Sequence, residues 1–169
     1  QMMAALSPII PGAAAWPKFT RNRSEQFEAR LSMVEVLASP SLFFTGMAGS
    51  RLPIAVAHGE GFADFSQRGD AAAVHRAMRF VDHHGRATEA YPANPNGAVD
   101  AIAGICNETG RLYGMMPHPE AYTHYTNHPR WTREDLPEEG MGLAIFKNAI
   151  EFIRSDEFEQ RPARIQEAG

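Results

Sequence analysis

The sequence lacks the features that mark several classes of protein. Its 169 residues include one cysteine, Cys106, so no internal disulfide can form and we expect a reducing, cytoplasmic compartment. No stretch approaches the roughly 18 to 20 consecutive apolar residues that span a bilayer, so we expect no membrane partner. The net charge is −4 and there is no run of Lys or Arg, which argues against a nucleic-acid partner.

The composition that remains is that of a globular domain. Hydrophobic residues make up 44% of the chain and charged residues 21%, which is enough apolar material to bury a core. The chain opens with Gln1, Met2 and Met3 and has neither the basic region nor the cleavage site of a signal peptide. We therefore expect that the sequence begins within a longer gene.

The order of apolar runs predicts a mixed α/β domain. Runs bounded by turn residues predict strands over 27–37, 41–47, 52–57 (extended by 62–65), 101–106 and 112–116. The last two runs flank a loop that contains Gly110, so they predict a β-hairpin. Apolar spacing predicts a short helix over 70–78, with Asp70 near its N-cap, and an amphipathic helix over 142–153. So few helices would leave such a sheet incompletely covered.

The clearest chemical signal is Pro117-His118-Pro119-Glu120, at the end of the predicted hairpin. Two positions apart in an extended segment, the side chains of His118 and Glu120 lie on one face, and the prolines restrict the backbone. A histidine beside a carboxylate can provide the base and the orienting acid of a nucleophilic triad. The residues alone fit equally a strand-end histidine in an ordinary turn hydrogen bond.

Cys106 is the one thiol that the chain offers to such a pair. In the predicted hairpin it lies near the turn, so about seven strand residues, or roughly 23 Å, separate it from His118. A hydrogen bond needs about 3 Å between heavy atoms. We therefore interpret Cys106 as a packed, small apolar residue.

Other polar groups leave alternatives open. Zinc accepts histidine and carboxylate ligands, and a metallohydrolase would draw on His118, Glu120, His124 and His128, although their spacing matches no HExxH helix. The segment His58-Gly59-Glu60-Gly61 either lines a cleft or forms only a turn. For residues 21–26 there are two interpretations: they bind an anionic group or a partner domain, or they form a solvated loop. Residues 94–97 are of the types that favour a turn.

Six segments in a fixed order carry a family resemblance: residues 1–3, 21–30, 46–50, 58–61, 91–97 and 115–120. Together they resemble the glutamine amidotransferase domain of phosphoribosylformylglycinamidine synthase, a triad-type (class I) amidotransferase. The resemblance runs from Gln1 to about residue 153. It implies an α/β, flavodoxin-like open sheet with flanking helices, incomplete on its N-terminal side. Residues 1–154 would form this partial domain and residues 155–169 a charged C-terminal tail.

The resemblance also implies the residues of the site. His118 and Glu120 match the second and third members of a Cys-His-Glu triad. The family's nucleophile lies in a Gly-Val-Cys-Asn-Gly-Cys-Gln pattern whose final residue matches Gln1, which places the attacking Cys four positions before Gln1 and outside this chain. Gln1 is implied to contact the substrate glutamine, and Asn22, Ser24 and Phe27 to line its pocket.

By the same resemblance, the activity is glutamine hydrolysis that supplies ammonia to a synthetase domain or subunit. There, ATP and Mg²⁺ would drive conversion of formylglycinamide ribonucleotide to its amidine in purine biosynthesis. The domain itself would need no metal or cofactor, and the present sequence shows no Gly-rich phosphate loop. The family includes a long single-chain form, which residues 21–30 and 46–61 favour, and a separate small subunit. A non-catalytic docking module and the metallohydrolase remain the alternatives.

Overall fold

The computed structural model of the chain describes residues 1–156 and residue 158. Its strands are β1 Lys18–Thr20, β2 Glu28–Val36, β3 Arg51–His58, β4 Phe62–Asp64, β5 His75–Phe80, β6 Ile102–Cys106 and β7 Tyr113–Met115. Its α-helices are α1 Met2–Ala5 and α2 Leu143–Arg154. Short 3₁₀ helices lie at Ser7–Ile9, Leu42–Phe44, Val99–Ala101, Pro119–Tyr122 and Tyr125–Asn127. Most of the predicted tail, 155–169, lies outside the described residues.

Five strands form one sheet in the order β3-β2-β5-β6-β7, and β1 pairs with β4 in a second, two-stranded sheet. Every strand pair in both sheets is antiparallel. β3 is an edge strand, and this position accommodates Pro53, which has no N–H to donate to a ladder. None of the helices in the described part of the chain is long and apolar enough to cross a membrane.

Period-two alternation in β3 sets which of its side chains face the core. Leu52, Ile54, Val56 and His58 are all buried, while the residues between them are more exposed. The first three join a cluster with Phe80 and with other residues of β2, β5, β6 and α2. The alternation therefore also turns His58, the last residue of the strand, towards the interior.

Strand β6, which lies between β5 and β7, is buried along its whole length. Ala103 and Cys106 belong to the cluster that α2 covers through Ile145, whereas Ile102 and Ile105 belong to a second cluster around Trp16. A strand packed on both faces has a continuous apolar sequence, as β6 does. The predicted hairpin of 101–106 and 112–116 is confirmed as β6 and β7, with Gly110 in the loop between them.

Two of the predicted elements are wrong. The run 41–47 forms a 3₁₀ turn rather than a strand. Its apolar residues do not require a strand, because Phe44 is buried in the core from the turn. Residues 70–78 form a turn followed by β5 rather than a helix. Asp70 does accept a hydrogen bond from the N–H of Ala72, at 2.8 Å, but this closes only one turn before pairing with β2 and β6 takes over.

The remaining predictions of structure have mixed outcomes. The strands predicted over 27–37 and 52–57 are confirmed as β2 and β3, and the helix predicted over 142–153 is confirmed as α2. The residues 62–65 do not extend β3, because β4 leaves the main sheet and pairs with β1.

We predict that Ile54→Ala lowers the free energy of unfolding by about 2–5 kcal/mol, since it opens a cavity in the main core. Ile9 is 77% exposed, so Ile9→Ala removes the same atoms from the surface and should change stability by about 0.5 kcal/mol or less. Urea unfolding followed by circular dichroism measures both changes. Equal effects of the two substitutions would contradict the inward orientation of Ile54.

Candidate active site

The structure brings His118 and Glu120 into direct contact. The Nδ1 atom of His118 lies 2.7 Å from Oε1 of Glu120, as the sequence predicted. The reason differs in part, because Glu120 stands in the 3₁₀ turn Pro119–Tyr122 and not in an extended segment. The side chains of His118 and Glu120 are 39% and 60% exposed, so the pair is open to a reactant from solvent.

The backbone of His118 is fixed by strand β3. Its N–H donates to the carbonyl oxygen of Ala55 at 2.7 Å, which forms an isolated antiparallel bridge on the free edge of β3. On the other side, the turn that follows packs against the start of α2. A side chain at Gly142 would collide with the carbonyl oxygen of Pro119, so this close approach requires glycine.

This geometry defines the chemistry of the ring. An ionised carboxylate only accepts hydrogen bonds, so the contact with Glu120 assigns the proton of neutral His118 to Nδ1. The other nitrogen, Nε2, then carries a free lone pair and can accept a proton from a thiol, a hydroxyl or water.

Cys106 does not provide a nucleophile for this base. Its side chain is fully buried in the main core, and burial raises the pKa of the thiol to about 11, although the neighbouring Ser39 and Ser41 act in the lowering direction. At neutral pH the sulfur is therefore a thiol and not the reactive thiolate. The prediction that Cys106 is a packed apolar residue is confirmed.

The histidines of the proposed metal set do not converge. His124 caps the turn Tyr125–Asn127, with Nδ1 2.9 Å from Oγ1 of Thr126. His128 is buried and packs against Tyr122, at 5.4 Å between ring centroids. Within residues 1–156 and 158, no three His, Cys, Asp or Glu side chains are placed to hold one metal ion.

The residues predicted to contact substrate lie in different surroundings. Gln1 is exposed and its side-chain amide donates to the carboxylate of Glu60. Phe27 is 66% exposed. Ser24 lines a cavity of about 360 Å³ between the loops 23–26 and 89–97. Asn22 is buried, and its amide is bonded to backbone atoms of Gln26, His58 and Gly61.

His58 lies beside the pair. Its ring centroid is 6.1 Å from that of His118, and its Nε2 is 2.9 Å from Oδ1 of Asn96. The segment His58-Gly59-Glu60-Gly61 contacts Gln1 through Glu60 and neighbours the His118 ring through His58, and its role as the wall of a cleft stays a prediction. Asn96 was predicted only as a turn residue, and nothing in the turn sequence distinguishes an asparagine whose side chain supports a histidine.

The surroundings of His58 favour the neutral ring. Burial lowers the pKa of His58; the hydrogen bond to Asn96 opposes this, and the neighbouring His118 lowers the pKa further. Contacts with the backbone of Met116 and with the carboxylate of Glu28 act in the raising direction without reversing the shift.

The described part of the chain is a mixed α/β domain with an exposed histidine–carboxylate pair beside an edge strand, and the comparisons with known proteins give its class. The chain belongs to the CobB/CobQ-like glutamine amidotransferase domain family, which matches residues 1–153. The resemblance to glutamine amidotransferase domains is thereby confirmed.

The structure is also similar to a chain in the structure of PurLQS from Thermotoga maritima, with a TM-score of 0.59 and 22% identity. The similarity covers 81% of this chain and 53% of that one, so this chain spans about half the length of the Thermotoga maritima chain. At this identity the likeness concerns the fold, and it confirms the expected class I amidotransferase-like α/β fold.

We predict that Cys106 reacts with iodoacetamide at about pH 8 at least tenfold more slowly in the folded chain than in urea, because the folded thiol is buried and protonated. Peptide mass spectrometry measures the modified fraction with time. Equal rates in the two states would show that the thiol is accessible and would reopen its role as a nucleophile.

We also predict a pH dependence of stability that comes from His58. Because its pKa is lowered by folding, the unfolded chain binds more protons in mild acid, so the stability from neutral His58 is present above about pH 6.5 and is lost as the pH falls towards the folded pKa. Urea unfolding between about pH 7.5 and 5 should therefore show a smaller loss of stability for His58→Gln than for the natural chain. His84→Gln, at an exposed turn position, is the control. Identical slopes for His58→Gln and the natural chain would contradict the assignment.

Proposed function

We propose that this amidotransferase domain hydrolyses glutamine through a Cys-His-Glu triad to which it contributes His118 and Glu120. The family membership supports glutamine as the nitrogen donor. The observation that carries the proposal is the 2.7 Å contact between Nδ1 of His118 and Oε1 of Glu120, with the remaining ring nitrogen free. No other His–carboxylate ion pair occurs among the described residues.

In this mechanism, Nε2 of His118 removes the proton of a cysteine thiol, and the thiolate attacks the side-chain amide carbon of glutamine. The same histidine then delivers the proton to the leaving ammonia, which produces a glutamyl thioester. Water, deprotonated by His118, hydrolyses the thioester to glutamate and restores the thiol. Throughout, Glu120 holds the ring and stabilises its charged form.

The thiol in this proposal is not Cys106, since that sulfur is buried and protonated. We place the nucleophile four positions before Gln1 in the parent protein, as the resemblance implies. Two contacts support this place: Gln1 donates to Glu60, and Glu60 lies two residues after His58, whose ring neighbours His118. Gln1 therefore lies on the same side of the domain as the His118 ring, which is where a nucleophile a few residues before Gln1 is needed.

The substrate pocket is proposed to include Gln1, Ser24 and Phe27. Gln1 and Phe27 are exposed, and Ser24 lines the cavity beside loop 89–97. In this proposal Asn22 does not contact the substrate. Its side-chain amide holds the backbone of residues 26, 58 and 61 together and so fixes the shape of the pocket.

The product ammonia is proposed to pass to a synthetase domain or subunit of the same cytoplasmic enzyme, where ATP and Mg²⁺ drive formation of formylglycinamidine ribonucleotide. The fold likeness to PurLQS of Thermotoga maritima and the six matching segments support this assignment to purine biosynthesis. A triad-type glutaminase needs neither metal nor cofactor in its own domain.

The test is covalent labelling with a chloroketone analogue of glutamine, carried out on the parent protein with its upstream residues. We predict label on the cysteine four positions before Gln1. His118→Ala should lower glutaminase turnover about 10²–10⁴-fold, because general-base catalysis is lost, and Glu120→Gln should lower it in the same direction. His84→Ala is the control.

Three outcomes would contradict parts of the proposal. Label on Cys106 would identify the nucleophile within this chain. Turnover that survives His118→Ala would remove the base from the mechanism. A parent protein without the upstream cysteine would favour a non-catalytic docking module.

A further inference from the structure

Three polar residues and one glycine meet beside the His118 ring, and we call them the His58 cluster: Asn22, His58, Asn96 and Gly61. The amide nitrogen of Asn22 donates to the carbonyl oxygen of His58 at 2.8 Å, and its oxygen accepts from the N–H of Gly61 at 2.8 Å. The side chains of His58 and Asn96 then meet at 2.9 Å. Three separate loops are therefore tied to the end of strand β3.

The cluster leaves no spare volume. A Cβ atom at Gly61 would collide with Nε2 of His58 and lie 2.7 Å from Cγ of Asn96. The packing of the histidine against the asparagine therefore requires glycine at position 61.

The other side of the His58 ring faces the catalytic turn. Its Nδ1 is buried and has no hydrogen-bond partner, and the backbone of Met116 acts on the pKa of the ring in the raising direction. The ring of His118 lies 6.1 Å away, centroid to centroid. The residue opposite His58 in the β2–β3 register is Glu28, whose carboxylate is buried and paired with Arg30. His118 and Glu28 are the titratable groups that act electrostatically on His58.

We infer that His58 is a positioning residue for His118, held as the neutral Nε2–H tautomer by Asn96, and that the packing of its ring beside the ring of His118 keeps the catalytic base in place. The inference rests on the proposed function. Because Oδ1 of Asn96 only accepts, the bond at 2.9 Å assigns the proton to Nε2 of His58. A neutral support is needed because His118 carries a positive charge whenever it holds the nucleophile's proton, and a second charge at this distance would oppose that state.

The experiment uses the parent enzyme with four variants, namely His58→Gln, His58→Ala, Asn96→Asp and the control His84→Ala. His58→Gln keeps a neutral donor that can reach Asn96, so we expect kcat within about threefold of the parent. His58→Ala should lower kcat about tenfold or more with KM little changed, because it misplaces the base and not the substrate.

Asn96→Asp separates positioning from a purely structural role. An acidic partner favours the charged form of His58 and so places a positive charge beside His118. We expect kcat to be about tenfold low near pH 6.5 and to recover near pH 8.5, as His58 loses its proton. A merely structural defect would lower kcat equally at both pH values.

A second measurement does not depend on glutamine turnover. Nitrogen-15 spectra of labelled histidines in this chain should show His58 as the neutral Nε2–H tautomer at about pH 7, and Asn96→Asp should convert it to the doubly protonated form.

The inference is overturned if folded His58→Ala retains the kcat of His84→Ala, if its loss lies wholly in KM, or if His58 is charged or protonated on Nδ1 in the natural chain. The proposed function fails separately, if His118→Ala leaves turnover intact. Loss of turnover in His118→Ala with full turnover in folded His58→Ala would retain the function and reject the positioning role.

Discussion

The geometry of the site depends on one backbone hydrogen bond, from the N–H of His118 to the carbonyl oxygen of Ala55. An edge strand such as β3 presents unpaired donors and acceptors on its outer side. Here the chain uses one of them to fix the backbone of a histidine at a position set by the main sheet. The core residues Leu52, Ile54 and Val56 hold the strand, so the packing of the core determines where the imidazole lies.

Strand β3 also explains why His58 and His118 are neighbours although 60 positions separate them in the sequence. Alternation turns His58 inward at the end of the strand, and the bridge at Ala55 brings the turn of His118 alongside the same strand. Both histidines are thus placed by one element. A shift of the β2–β3 register by one residue would turn His58 outward and bury its neighbours instead.

Much of the local structure could be predicted because it depends on nearby residues. The long strands β2 and β3 and helix α2 follow from the apolar pattern of their own residues, and the hairpin of β6 and β7 follows from two short apolar runs around a loop that contains Gly110. The contact of His118 with Glu120 was predictable for the same reason, since it joins residues two positions apart.

The errors and omissions arise where distant contacts decide. Asp70 and the apolar positions after it fit a helix locally, but hydrogen bonding to β2 and β6 makes the segment a strand. Asn96 stands in a segment whose residues are typical of a turn. Only the folded chain brings its side chain to His58, 38 positions away. No spacing within one sequence encodes such a pairing, and the role of Asn22 as a tie between loops is hidden in the same way.

The two neighbouring histidines have the same side chain and opposite surroundings. His118 is partly exposed and bonded to a carboxylate, whereas His58 is buried and bonded to an amide, and burial outweighs that bond in favouring the neutral ring of His58. Environments that differ in this way assign different tasks to identical groups. In the proposed mechanism the exposed ring exchanges a proton with the reactant, while the buried ring of His58 stays neutral at neutral pH and keeps its position. A site that moves protons at one imidazole benefits from a neighbour that does not compete for them.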